Sequence, residues 1–283
     1  MLAYEAGTYV WHRSMHSSNA LWRIFHQMHH SAERIDSFGA LLGKRDGSLS
    51  SFGVTTRGKI MSKYRNRLPQ SHDAIFITDG GLETTLIYHQ GIELPAFAAF
   101  DLLKNEAGLR VLRNYYVRYA ELARAHRMGL VLESPTWRAN ADWGRTLGYD
   151  ELALADANRK AIGLMLEIRA ELATATTRMV ISGNLGPRGD GYSPGMRMSA
   201  EQARTYHAPQ IETFAATDAD MVCALTMNYV EEAIGIALAA KACAIPVALS
   251  FTLETDGRVP SGTRCHRRLR KPIARRAATP RTT

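Results

Sequence analysis

Short apolar runs alternate with longer stretches of helical spacing through the middle of this chain. The runs Ala74–Thr78, Gly129–Glu133, Met179–Ser182, Met221–Leu225 and Pro246–Phe251 have the length and composition of buried strands. Between them lie helical patterns at about Asn105–His126, Asp150–Ala173 and Tyr229–Ala242, and another that starts at the capping-box sequence Ser199-Ala-Glu-Gln202. In the first helix Leu109, Leu112, Tyr115, Tyr116, Tyr119 and Leu122 make an apolar stripe that reads as core rather than site. Strict alternation of strand and helix predicts a parallel sheet with right-handed crossovers. That is an α/β chain of the (β/α)8 barrel type. A closed barrel needs eight such units and five are visible, so residues 74–262 read as a barrel domain truncated after about five units.

The two ends break the pattern. Residues 41–73 are rich in Gly, Ser, Lys and Arg without periodicity, as in Gly43-Lys-Arg-Asp-Gly-Ser48, and read as a linker, disordered or loosely helical. Residues 263–283 hold Arg264, Arg267, Arg268, Arg270, Lys271, Arg275, Arg276 and Arg281 with no acid, and read as a basic disordered tail. A reading-frame change or an interrupted gene would produce both this tail and the mismatched start. Those tail cations equal the whole formal net charge of +8, so residues 1–263 net zero. The tail can meet polyanions nonspecifically, but the folded part has no bias toward nucleic acid. An apolar content of 46% is ample for a core.

Three cysteines, Cys223, Cys243 and Cys265, form no CxxC and are odd in number. A disulfide framework does not fit; a reducing, cytoplasmic compartment does. The start lacks the pattern of a signal peptide. No run approaches the roughly 20 apolar residues of a membrane helix.

Candidate chemistry gathers first at Phe76-Ile-Thr-Asp-Gly-Gly-Leu-Glu-Thr-Thr-Leu86. A strand runs into Gly80-Gly81, which lets the backbone turn sharply and approach a ligand. Asp79 and Glu83 flank the turn. Strand ends of this kind are where α/β folds place their reactions, although a plain strand-loop junction has the same local signature.

Asp79-Gly-Gly-Leu-Glu-Thr84 followed by Gly91-Ile-Glu-Leu-Pro95 resembles the opening of the homocysteine S-methyltransferase family. Glu133-Ser-Pro-Thr-Trp-Arg-Ala-Asn140, Gly183-Asn-Leu-Gly-Pro187 and Ser250-Phe-Thr-Leu-Glu-Thr-Asp256 continue the likeness to about Gly262. The resemblance implies a barrel that binds homocysteine and holds zinc through three cysteine thiolates. It implies methyl transfer from a donor such as S-methylmethionine or S-adenosylmethionine to the homocysteine sulfur, giving methionine. Zinc would bind the sulfur as thiolate and lower its pKa.

None of the three cysteines matches a ligand position of the family. Cys223 falls in the fourth strand, Cys243 at a helix end and Cys265 in the tail, and the first two read as small buried apolar residues. The resemblance therefore implies an enzyme that is inactive here, with a non-enzymatic chimeric fragment as the alternative.

The same resemblance, with position at strand ends, assigns Asp79 and Glu83 as catalytic. It assigns Gly80, Gly81, Glu133, Thr136, Asn184, Thr226 and Asn228 to substrate. Carboxylates would hold the ammonium of the amino acid, and backbone N–H groups its carboxylate. Glu133 paired with Arg138 inside the barrel, and Asn184 as a turn residue, are equally open readings.

Residues 1–40 carry half of the ten histidines: His12 and His16 four apart, then His26, His29 and His30. Such spacing can aim imidazoles from one helix face at one ion; a His-rich surface helix is the plainer alternative. The segment resembles the first two histidine boxes of the fatty-acid hydroxylase and sterol desaturase family, which implies iron. The membrane helices and further histidine box of that family are absent, and a metal centre needs its full ligand set. A short helical remnant without oxygenase activity is expected.

Overall fold

The computed structural model describes residues 63–71 and 74–263. The histidines His12, His16, His26, His29 and His30, most of the 41–73 linker, and the tail with Cys265 lie outside the described residues.

Five parallel strands follow one another in chain order: β1 Phe76–Thr78, β2 Gly129–Glu133, β3 Met179–Leu185, β4 Met221–Met227 and β5 Val247–Phe251. The helices between them are α1 Glu106–Ala125, α2 Ala141–Thr146, α3 Glu151–Leu172, α4 Ala200–Ala215 and α5 Val230–Ala242. The sheet curls into a half-barrel. Phe76 pairs with Gly129, Leu130 with Met179, Ser182 with Met221 and Val222 with Val247. β2 and β3 are buried along their whole length, as expected of parallel strands covered on both faces.

Side chains alternate between the two faces. Leu130, Leu132, Met179, Ile181, Val222 and Ala224 join the core under the helices. Val131, Val180, Met221, Cys223 and Ala248 form a second cluster on the opposite face. Four of the five helices begin at a side-chain cap, and α5 starts after Tyr229 without one. Asn105 accepts from the Gly108 N–H, Asp150 from Ala153, and Ser199 and Gln202 close a reciprocal capping box.

β3 runs beyond the Met179–Ser182 expected from the sequence, through Gly183 and Asn184 to Leu185. Gly183 does not break it. A Cβ there would stand 2.5 Å from the Phe214 ring, so the glycine makes room for α4 against the sheet.

Part of the expected linker is instead structured. Leu68 is buried against the inner cluster, and Pro69–Ser71 make a 3-10 turn. The Arg65 guanidinium donates to the carbonyls of Ala215, Thr217 and Ala219, closing the C-terminal end of α4. The Tyr64 N–H donates to Asp220 Oδ1 at 2.7 Å, and Asp220 Oδ2 accepts from Arg169 and from the Ile181 N–H. Local composition missed this strap because its partners lie about 150 residues downstream.

Leu68→Ala is expected to lower the unfolding free energy by roughly 2–4 kcal/mol through cavity formation. Urea denaturation measures it. A loss below about 0.5 kcal/mol would remove the strap from the cooperative fold.

Candidate functional site

At the C-terminal end of β1 the chain passes through Asp79 and Gly80 into Gly81, whose φ of 63° is left-handed and suits glycine. A helical turn, Leu82–Thr84, follows at once and carries Glu83. β2 ends at Glu133, on the inner face beside Ser182 and Cys223. Three carboxyls therefore converge at one mouth of the half-barrel.

Each is pushed up to about 7, with loss of hydration as the leading cause. Asp79 is partly drawn back by the Tyr115 hydroxyl. For Glu83, its own backbone N–H and Arg138 oppose the rise, while the charge of Asp79 adds to it. For Glu133 the nearby Ser182 hydroxyl opposes the rise and Asp79 adds to it. Asp79 and Glu83 keep some contact with solvent, whereas Glu133 is 7% exposed. Among the described residues Asp79 Oδ1, Glu133 Oε2, Asn184 Oδ1 and Asn228 Oδ1 are buried without a hydrogen-bond partner. Several orphaned acceptors close together are a signature of a site built for a donor.

The α1 stripe is more than core. The Tyr115 hydroxyl reaches the Gly80 carbonyl at 2.9 Å and Asp79 Oδ2 at 3.1 Å, and Tyr119 donates to the same carbonyl at 3.1 Å. The Tyr116 hydroxyl donates to the Glu133 carbonyl at 2.8 Å. Three tyrosines of one helix thus fix the ends of β1 and β2. Helical spacing identified the face but not the hydroxyls. Leu122, at the end of the stripe, is 49% exposed.

The remaining expected residues divide into lining and support. Thr136 is wholly buried and donates to the Asn184 carbonyl at 2.7 Å, while Ser134 Oγ accepts from the Asn184 N–H. Thr136 fixes the β2–β3 register rather than presenting its hydroxyl. Asn184 lies within β3, not in a turn, with Oδ1 unpartnered on the inner face. Thr226 has φ 57° at the irregularity between β4 and β5, and accepts from Trp137 Nε1 at 3.0 Å. Asn228 Nδ2 donates to the Asp190 carbonyl at 2.7 Å. Thr252 donates to the Gly191 carbonyl, so the loop after β3 is pinned over the mouth from two strands. Gly80 is exposed at the turn.

Glu133 forms no ion pair with Arg138. Arg138 stacks between Trp137 and Trp143 and faces Asp190 at 4.0 Å; its place at the mouth carried no local sequence signal.

A zinc centre does not fit the described donors. Cys223 faces inward from β4 with its thiol raised well above the usual range by burial and by Glu133. Cys243 caps the C-terminal end of α5 and packs on the outer core. Among the described residues no three His, Cys, Asp or Glu side chains gather closely enough for a metal. No helix among them is long and apolar enough to cross a membrane.

The family model for homocysteine S-methyltransferase matches residues 76–275, past the Gly262 limit drawn from sequence motifs. The family model for fatty acid hydroxylase matches residues 1–55. No curated protein matches the chain. Among solved structures, the homocysteine methyltransferase MmuM from Escherichia coli in its oxidized form superposes with a TM-score of 0.60 at 20% identity. That match covers 73% of this chain and 70% of that one. Its metallated form gives 0.58 at 18% identity, over 74% and 72% of the two chains. At these identities the likeness is one of fold: five consecutive units of a TIM-type barrel.

Proposed function

The chain belongs to the homocysteine S-methyltransferase family, and from that premise we propose that its half-barrel mouth binds homocysteine as the acceptor for methyl transfer to sulfur. The supporting observation is the convergence of Asp79, Glu83 and Glu133 on one mouth, with orphaned carboxyl oxygens at Asp79 and Glu133. An ammonium group supplies the donors those oxygens lack and favours their ionised form.

Asp79 is the principal ammonium partner. Tyr115 orients it, and the left-handed Gly81 lets the chain fold back so that Glu83 comes alongside. Glu133 closes the site from β2. Gly80, Asn184, Thr226 and Asn228 line or shape the mouth, and Thr136 holds the β2–β3 edge in register.

In the family zinc activates the thiol. The described residues of this chain do not provide that centre, so the reading is a substrate-binding barrel without turnover by itself. Residues 63–262 form the barrel domain in this reading, with the histidine-rich 1–40 segment and the basic tail outside it.

Isothermal titration of the full chain with L-homocysteine should show binding that Asp79→Asn weakens about 10- to 100-fold, the range for loss of a charge-assisted hydrogen bond. Homocysteine heats indistinguishable from buffer for the wild-type chain would sink the reading.

A further inference from the structure

Arg138 lies in the loop after β2, at the same mouth as the three carboxyls, and its side chain is only 9% exposed. Its guanidinium carbon stands 4.6 Å from the Trp137 ring centre and 3.8 Å from that of Trp143. Stacking between two indoles fixes the guanidinium plane and leaves its edge as the hydrogen-bonding face. Most of that edge is unpartnered. Nε and Nη1 have no hydrogen-bond partner among the described residues, and Nη2 has only Asp190, at 4.0 Å and half exposed. Glu83 is near enough for charge interaction without bonding. Arginine cannot shed its proton, and a buried cation with idle donors is costly until an anion meets it.

We propose that Arg138 receives the α-carboxylate of the amino-acid substrate, taking the part expected of backbone N–H groups from the sequence. The inference rests on the homocysteine reading above and adds a named specificity residue to it. A mouth that holds three carboxyls and one stacked guanidinium complements a zwitterion. It selects an α-amino acid over a simple amine or thiol. The planar fork of arginine suits a carboxylate in a way that a lysine ammonium does not.

The test compares two probes on the full chain by calorimetry: L-homocysteine, and 3-aminopropane-1-thiol, which is the same molecule without its carboxylate. Arg138→Gln should weaken homocysteine about 10- to 100-fold, and Arg138→Lys should recover only part of that. Both variants should bind the carboxylate-free probe within about twofold of wild type. Thermal unfolding of Arg138→Lys serves as the folding control should Arg138→Gln prove unstable. Unchanged homocysteine affinity in Arg138→Gln, or equal loss of both probes in Arg138→Lys, overturns the assignment while leaving the homocysteine reading intact. Failure of wild type to bind homocysteine overturns that reading and this inference with it.

Discussion

Homocysteine incubated with the full chain and either S-methylmethionine or S-adenosylmethionine, with or without added zinc, is expected to yield methionine no faster than the same mixture lacking protein. A free thiol has a pKa of about 8.5, so only a few per cent is thiolate at pH 7. Activation needs positive charge at the sulfur. The described cysteines do not provide a place for it. Cys223 is sealed inside β4 beside Glu133, and no other described cysteine shares that face of the sheet, so the thiolates a zinc centre needs are not gathered there. Cys243 belongs to the helical layer on the other side of the sheet. The carboxyls at the mouth oppose a second negative charge rather than favour one.

Positioning is also incomplete. Five strands line the mouth from β1 to β5, and the described residues offer no wall between those two edges. Activation and positioning are each worth orders of magnitude in rate, and both act on the same step. Chromatographic detection of methionine decides the matter. Turnover that a chelator abolishes would overturn the expectation and place a metal centre on Cys265 or on a partner chain.

Stability is expected to fall as pH rises from about 4.5 toward about 7 and then to level off, with Glu133 as the main source. The sign follows from proton counting. Glu133 has an ordinary value of 4.5 when unfolded and about 7 when folded. Between those values the folded state binds more protons, so raising the pH favours unfolding. Below about 4.5 both states are protonated and the penalty vanishes. For a group this enclosed the full penalty is on the order of 3 kcal/mol. Asp79 and Glu83 act in the same direction, but water at their partly exposed surfaces screens them.

Glu133→Gln should therefore raise the melting temperature at about pH 8 and flatten the profile, while leaving stability near pH 4 almost unchanged. Urea titrations across this range measure both. A Glu133→Gln profile parallel to wild type would refute the assignment. Homocysteine should reverse the trend. Its ammonium favours the ionised carboxyls, so affinity rises with pH through about 7, and binding releases protons that calorimetry in buffers of different ionisation enthalpy can count.

Local chemistry is enough for the alternation of elements. Apolar runs of four to six residues mark the strands, and Asn105, Asp150 and Ser199 start their helices, because a cap bonds within three residues of itself. The Asp79-Gly80-Gly81 turn and its acids were legible for the same reason: the glycines and carboxyls are adjacent in the chain.

What the sequence did not reveal depends on partners far along it. Gly183 reads locally as a strand breaker, yet the Phe214 ring makes it a strand residue. The hydroxyls of Tyr115 and Tyr119 belong to the mouth only because α1 packs where Gly80 lies within reach. Residues 63–71 look like linker until Leu68 joins the inner cluster and Arg65 meets the end of α4. Arg138 is an ordinary loop arginine in sequence; in the fold it lies against two indoles with Nε and Nη1 buried and unpartnered. Periodicity records which face of an element is apolar. Burial, idle donors and raised carboxyl pKa values arise only when elements separated by tens to hundreds of residues exclude water together.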